Sequence, residues 1–286
     1  MARPVVALAT SAQWPDLDTD GALLLTALAD AGVDARPVVW DDPDHDWAAD
    51  DLVVVRSTWD YTDRLPEFLS WAAQVPRLAN PAAVVAWNTD TRDRCDLAAA
   101  GVPVTPTPGL APGEPFVAPP GEYVVKPTVS AGARDTARYG PAEAGAAAAH
   151  VAGLHAAGRH VMVQPYLQAV DTAGETSVLL FDGAFSHAAR KAALLAPLAG
   201  VRQDLSGRAT ITPTTATPEQ RALAARVLAA VPGGAPLLYA RVDMVPGPDG
   251  APLLLELELV EPSLFLRQAE GAPAWFAAAI AGRVGR

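Results

Sequence analysis

Short apolar runs alternate with amphipathic stretches along the first third of the chain. The apolar runs predict buried strands at residues 5–9, 38–40 and 52–55, and the apolar spacing over 20–31 predicts a helix that ends before Gly32. A strand, a helix and a further strand in this order are typical of an open α/β unit with parallel strands. Ligands of such units bind beyond the carboxyl ends of the strands.

The rest of the chain predicts a mixture of helices, strands and hairpins, interrupted by a proline- and glycine-rich stretch at 112–121. The predicted elements are helices over 91–100, 142–157 and 218–230, strands at 123–126 and 161–166, and hairpins of 176–181 with 184–191 and of 237–245 with 253–260. The composition changes near 88–120, which indicates a domain boundary, and the length of the chain predicts two domains or one elaborate domain.

Charge and composition exclude several classes of protein. The formal net charge is −11, whereas a protein that binds a polyanion needs a basic surface, so no nucleic-acid partner is expected. The apolar runs are too short for a membrane span, and the single cysteine, Cys95, excludes an intrachain disulfide. We therefore expect a cytoplasmic protein without a membrane partner.

Lysine is almost absent from the chain. Among 21 basic residues only Lys126 and Lys191 are lysines, and the others are arginines. A lysine that persists in such a chain suggests a position that needs a compact ammonium group, as at a phosphate. The alternative is that both are ordinary surface residues.

The last predicted hairpin carries the most chemistry. Side chains alternate along a strand, so Glu256 and Glu258 share one face, while Arg241 and Asp243 share a face of the partner strand. Three carboxylates on one face repel one another unless a cation lies between them, and Mg²⁺ suits such oxygen ligands. The alternative is an exposed acidic face that Arg241 partly neutralises.

Two further segments carry polar residues where predicted strands end. Lys126 ends a strand and is followed by small residues over 128–133, whose backbone N–H groups can cover a phosphate; neither a P-loop nor a dinucleotide fingerprint occurs. The second segment follows the third strand and is expected to contact a small polar substrate, unless it is only a capped loop. Its candidate substrate residues are Arg56, Ser57, Trp59, Asp60 and Tyr61.

The order of these parts resembles the ATP-grasp superfamily, which includes glutathione synthetase and D-alanine:D-alanine ligase. The resemblance covers roughly residues 88–270 and depends on the order of the motifs more than on any one of them. It implies an α/β chain of the α+β ATP-grasp class with three domains. These would be an N-terminal Rossmann-like pre-ATP-grasp domain at 1–88, followed by two α+β lobes at 89–163 and 164–286 that clasp ATP. Both lysines fall where the family contacts phosphate.

The resemblance also implies the sites, residue by residue. ATP would be bound by Lys126, Ser130, Gly132, Gln164, Pro165, Tyr166, Leu167 and either Asp171 or Glu175. The catalytic residues, which stabilise the transferring phosphoryl group, would be Lys191, Arg190, Arg202 and Arg241. Magnesium, as two ions for which Mn²⁺ can substitute, would be held by Asp243, Glu256 and Glu258.

The implied activity is an ATP-dependent, ADP-forming carboxylate–amine ligase that acts through an acyl phosphate on an amino acid or small peptide-like substrate. Two alternatives stay open. The first is a short, actinobacterial type of member, an intramolecular cyclo-ligase of antibiotic biosynthesis that closes a cycloserine-like ring from O-ureido-serine. The second is a non-catalytic MgATP-binding protein, suggested by Thr91 and Ser177, which stand where the family carries a lysine and an arginine. A homodimer is also left open.

Overall fold

The computed structural model describes residues 2–203, 210–234 and 237–284. The strands in these ranges are β1 Val5–Thr10, β2 Asp34–Val39, β3 Leu52–Ser57, β4 Leu78–Ala79, β5 Gly109–Leu110, β6 Tyr123–Pro127, β7 Ala137–Tyr139, β8 Val161–Pro165, β9 Glu175–Phe181, β10 Ala184–Lys191, β11 Ile211–Thr214, β12 Tyr239–Pro246 and β13 Pro252–Glu258. The helices are α1 Gly21–Asp30, α2 Leu65–Gln74, α3 Ala82–Asn88, α4 Asp93–Ala99, α5 Ala144–Ala156, α6 Ala169–Ala173, α7 Pro218–Ala229 and α8 Ala272–Val284.

The first sheet is parallel and has the order β2-β1-β3-β4. This confirms the α/β unit that the strand–helix–strand pattern predicts, although β2 begins four residues before the predicted run of 38–40. Thr10 and Ser57 lie side by side at the carboxyl ends of β1 and β3. A 3₁₀ helix, Trp59–Asp63, follows β3 and carries the aromatic part of the predicted substrate segment past this edge.

The second sheet is antiparallel, in the order β5-β8-β6-β7, and presents Lys126 near the end of β6. The sequence pattern did not predict β7, because the charged Arg138 interrupts its short apolar run. All three residues of β7 are nevertheless buried against β6. Strand β8 runs across the expected domain boundary between residues 163 and 164, since it pairs with β6 along its whole length.

The third sheet is antiparallel, in the order β11-β10-β9-β12-β13, and contains both predicted hairpins. One face packs on α7, which begins after Thr217. The Thr217 hydroxyl accepts a hydrogen bond from the Gln220 backbone N–H at 3.2 Å, and the Gln220 side chain accepts one from the Thr217 N–H at 2.9 Å. This reciprocal capping fixes the start of the helix.

The first and third sheets share a hydrophobic core. Helix α8, which the sequence pattern did not predict, packs against α1 and places Phe276 and Ile280 beside Leu24 and Phe181. The Phe181 and Phe276 rings stack with their centroids 4.7 Å apart. This core holds the carboxyl edge of the first sheet next to one face of the third. None of the described helices combines the length and the apolar character needed to cross a membrane.

Candidate active site

A cavity of about 990 Å³ lies where the three sheets meet. Most residues that the sequence singled out contribute to its wall. Those in the wall are Trp59, Asp60, Tyr61, Lys126, Ser130, Gly132, Gln164, Pro165, Tyr166, Leu167, Glu175, Lys191, Arg241, Glu256 and Glu258. Sequence-distant positions are thus brought to one place.

Three carboxylates form a cluster on the third sheet, and we call Asp243, Glu256 and Glu258 the carboxylate cluster. Asp243 pairs opposite Glu256, and Arg241 pairs opposite Glu258, across β12 and β13. One oxygen atom of each acid lies within 4.8 Å of the others. The predicted shared face is therefore confirmed.

Two basic side chains neutralise the buried side of this cluster. The Lys191 Nζ atom lies 2.7 Å from a Glu175 oxygen and 3.1 Å from an Asp243 oxygen. Arg241 contacts both Asp243, at 3.0 Å, and Glu258. Burial opposes the charged form of Lys191, but Asp243 and Glu175 outweigh it and raise the pKa of Lys191 above its ordinary value.

Gly174 allows Glu175 to approach Lys191. Its φ angle is +70°, and a Cβ atom there would lie 2.6 Å from the Lys191 carbonyl oxygen. A side chain at this position would collide with the backbone, so glycine is required for the close approach of the two strands.

Lys126 reaches the same cluster from the second sheet. Its Nζ atom lies 3.4 Å from a Glu256 oxygen, its one ion pair among the described residues. Burial lowers the pKa of Lys126, and Glu256 offsets this only in part. Lys126 is therefore held less firmly than Lys191.

The two glutamates of the cluster differ in protonation. Burial disfavours the charged form of Glu256, but Lys126 and Lys191 outweigh it, so the pKa of Glu256 lies below its ordinary range. Burial raises the pKa of Glu258 to about 8, and repulsion from Glu256 and Asp243 adds to the shift. The carboxylate cluster thus contains one glutamate with a lowered pKa and one with a raised pKa.

The donor set of the cluster fits a hard divalent cation. Within the described ranges it is the one group of acids close enough together to share a metal ion, and its ligand atoms are all carboxylate oxygens. The Glu256 and Glu258 side chains are 29% and 30% exposed, whereas that of Asp243 is fully covered by Lys191 and Arg241. Glu256 and Glu258 are therefore accessible to a cation, while Asp243 becomes so only when its basic partners move.

The small-residue loop after Lys126 folds over the cavity. The Ser130 hydroxyl donates to the Arg134 carbonyl at 2.8 Å, and Gly132 and Ala133 both have positive φ angles. The Arg134 guanidinium pairs with Asp63 of the 3₁₀ helix, with one contact of 2.8 Å. The ion pair links the loop to the first sheet.

The segment after β8 forms another part of the wall. Gln164 is 5% exposed, and its side-chain Nε2 atom has no hydrogen-bond partner among the described residues. Asp171 is absent from this wall because it pairs with Arg138 at 2.9 Å and accepts a hydrogen bond from Tyr166. Of the two acids left open by the sequence, Glu175 lines the cavity.

Five other predicted residues also lie outside the cavity wall, and one of them is the fully buried Asp243. Arg190 is exposed on β10, and Arg202 donates to the Leu194 carbonyl at 2.9 Å. Arg56 is 2% exposed and donates to the Pro262 carbonyl at 3.1 Å, while Ser57 is fully buried. Side chains alternate along β10, so Arg190 points away from the cavity that Lys191 lines. Arg56 and Ser57 do not line the cavity because they are buried in the tertiary structure.

Sequence reasoning did not select Glu261, although it lines the cavity three residues after Glu258. Burial raises the pKa of Glu261 to about 7. An acid between Val260 and Pro262, at the end of a strand that already carries two glutamates, is the signal that would have identified it.

Two sheets that clasp a cavity between a lysine and a carboxylate cluster are typical of ATP-grasp enzymes, and known structures support this class. The structure resembles D-alanine–D-alanine ligase from Bacillus anthracis complexed with ATP, with a TM-score of 0.67 and 15% identity over 99% of this chain and 97% of that one. It also resembles the ATP-grasp ligase PsnB complexed with minimal precursor, Mg and ADP, with a TM-score of 0.64 and 18% identity over 98% of both chains.

A much nearer relative is the cycloserine biosynthesis protein DcsG of Streptomyces lavendulae, which is 40% identical over 98% of this chain and 99% of its own length. The crystal structure of D-cycloserine synthetase DcsG superposes with a TM-score of 0.90 at 40% identity, over 98% of this chain and 99% of that one. Residues 6–80 match the family model of the DcsG N-terminal domain. The chain belongs to the DcsG family, is an enzyme of the ligase type and has the fold of the ATP-grasp ligases.

Proposed function

We propose that this enzyme is a cyclo-ligase that uses ATP to join the carboxylate of O-ureido-serine to a nitrogen of the same molecule, closing a cycloserine ring. The observation that supports the ligase chemistry is the meeting of Lys126 and Lys191 with two acids of the carboxylate cluster, Glu256 and Glu258, in one cavity. Asp243 lies behind them, and one of its oxygens lies within 4.8 Å of an oxygen of each. The cyclising reaction is supported by the 40% identity to DcsG over nearly the full length of both chains.

Phosphoryl transfer is assigned to the end of the cavity that holds the lysines. In the proposed reaction the substrate carboxylate attacks the γ-phosphoryl group and ADP leaves. The nitrogen bonded to the side-chain oxygen then attacks the carbonyl carbon of the acyl phosphate and displaces phosphate. Water removes the carbamoyl group from that nitrogen as carbamate, which decomposes to CO₂ and ammonia. Lys126 and the loop at Ser130 and Gly132 are proposed to bind the phosphates. Lys191 and Arg241 are proposed to stabilise the charge on the transferring group.

The carboxylate cluster is assigned to magnesium. Glu256 and Glu258, joined by Asp243, would hold up to two ions, and Mn²⁺ is expected to substitute. When bound, the cation neutralises phosphate charge. The protein's part is to present carboxylate oxygens at a fixed spacing. Its lysines would leave these carboxylates and bind the phosphates of the nucleotide instead.

The nucleoside is assigned to the wall at Gln164, Pro165, Tyr166 and Leu167, with Glu175 at the ribose. Arg190, Arg202 and Asp171 can take part only by moving, because they lie outside the wall. We retain the division into domains 1–88, 89–163 and 164–286, the cytoplasmic location and the homodimer as predictions.

The proposal is tested with the purified enzyme, ATP, MgCl₂ and each enantiomer of O-ureido-serine, measuring ADP release and product mass together. We expect one ADP for each ring closed, with no requirement for a second amine. A product that incorporates an added amine would instead indicate an intermolecular ligase. Binding of MgATP without ADP release under any of these conditions would indicate a non-catalytic protein.

A further inference from the structure

An irregular segment after β13 forms part of the cavity wall. Residues 259–264, which we call the carbonyl segment, present six consecutive backbone carbonyls that each accept a hydrogen bond from a different side chain. The donors are Asn80 to Leu259 at 2.7 Å, Tyr239 to Val260 at 2.7 Å, Trp59 to Glu261 at 3.2 Å, Arg56 to Pro262 at 3.1 Å, Arg241 to Ser263 at 3.2 Å and His187 to Leu264 at 3.0 Å.

These donors come from distant parts of the chain, since Arg56 lies on β3, His187 on β10 and Arg241 on β12. A buried segment without regular structure would otherwise leave its carbonyls unpaired, at a cost in free energy. The six hydrogen bonds therefore hold the segment in one conformation and fix where its side chains enter the cavity.

The side chain presented at the centre of the carbonyl segment is Glu261, beside the hydroxyl of Tyr61. Among the residues that the structure describes, no basic side chain lies within ion-pair distance of its carboxyl group. Asp60 also lacks an ion pair, but its carboxylate accepts hydrogen bonds from the Trp40 indole N–H at 3.1 and 3.3 Å. Most other acids of the cavity are paired with a basic side chain. Their pairs are Glu175 and Asp243 with Lys191, Glu256 with Lys126, Glu258 with Arg241, Asp20 with Arg267 and Asp63 with Arg134.

Aromatic side chains line the cavity near Glu261. Trp59, which donates to the Glu261 carbonyl, packs edge-on against Trp14 with the ring centroids 5.4 Å apart, and both line the cavity. A carboxylate without a cation in such surroundings is costly, and aromatic faces attract cations. An ammonium group of the substrate would provide the positive charge that Glu261 lacks.

We propose that Glu261 binds the α-ammonium group of the amino-acid substrate, with Tyr61 and the carbonyl segment setting the position of its carboxyl group. This assignment rests on the proposed function, because it concerns the substrate of the same cavity. It makes Glu261 a specificity-determining residue for amino acids over the corresponding acids that lack the amine.

The test compares O-ureido-serine with 3-(ureidooxy)propanoic acid, which lacks only the amino group, in the parent enzyme and in Glu261→Gln. We expect the parent to prefer the amino acid, and Glu261→Gln to reduce that preference in kcat/KM by about 10- to 100-fold, the range of one charge-assisted hydrogen bond. The change is expected mainly in KM for the amino acid. Activity on the analogue should be unaffected, and Tyr61→Phe should reduce the preference less.

Glu270→Gln is the matched control, because it makes the same change at an exposed site outside the cavity. The Glu261 carbonyl, not its carboxyl group, holds Trp59, so the melting temperature of Glu261→Gln should match the parent. If that variant nevertheless fails to fold, an unchanged preference in Tyr61→Phe overturns the proposal. An unchanged preference in a folded Glu261→Gln, or an equal loss of activity on both compounds, also overturns it. A parent enzyme that releases no ADP with either compound contradicts the proposed function instead.

Discussion

The two ends of the cavity differ in whether their acidic side chains have basic partners. At the end formed by the third sheet, every acid of the carboxylate cluster is matched by Lys126, Lys191 or Arg241. At the end formed by the carbonyl segment, Glu261 has no such partner among the described residues. In the proposed reaction the first end exchanges its internal ion pairs for ligand charges, whereas the second receives a cation that the substrate brings.

The proposed exchange at the first end would couple nucleotide binding to metal binding. When a triphosphate draws the lysines away, the acids they leave behind need a new positive charge, and a divalent cation provides it. The two lysines differ in how easily they move, because Lys126 has one ion pair at 3.4 Å and Lys191 has two, at 2.7 and 3.1 Å. Lys126 is expected to meet phosphate first.

The largest expected effect comes from breaking the first end. Lys126→Ala and Glu256→Gln should each lower ADP formation by about 100-fold or more, because each removes a charge that stabilises the transferring phosphoryl group or its metal. A coupled assay of ADP release measures the effect, and circular dichroism checks that the fold is retained. Either variant turning over at the parent rate would show that this end of the cavity is not the phosphate site.

A smaller expected effect is a difference in stability between variants of the two lysines. Lys191→Ala should reduce the free energy of unfolding by about 3 kcal/mol, because it leaves Asp243 and Glu175 as buried acids without their shared cation. Lys126→Ala should cost about 1 kcal/mol or less, since its single pair is long and partly exposed. Urea denaturation without nucleotide measures both, and equal losses would mean that the two lysines are held alike.

Strand alternation was sufficient to predict the carboxylate cluster. The face shared by Glu256 and Glu258 follows from a period of two, and a hairpin must bring Asp243 opposite one of them. The same period places Lys191 in the cavity wall and Arg190 outside it, a distinction that the family resemblance alone did not make.

Other parts of the site depend on contacts that no local pattern contains. Asp171 is taken out of the cavity by Arg138, a residue 33 positions earlier in the chain. The carbonyl segment is held by donors that range from Arg56 to Arg241, so its conformation follows only from the tertiary packing. Helix α8 likewise acquires its place from the core that it shares with α1.

The transfer of carboxylate oxygen to phosphate tests the account most directly. O-ureido-serine labelled with ¹⁸O in its carboxylate is incubated with the enzyme, ATP and MgCl₂, and the inorganic phosphate formed is examined by mass spectrometry. Because the carboxylate attacks the γ-phosphoryl group and its oxygen leaves with phosphate, we expect one ¹⁸O atom in each phosphate from fully labelled substrate. Phosphate without the label, released together with the ring product, would contradict activation of the substrate as an acyl phosphate in this cavity.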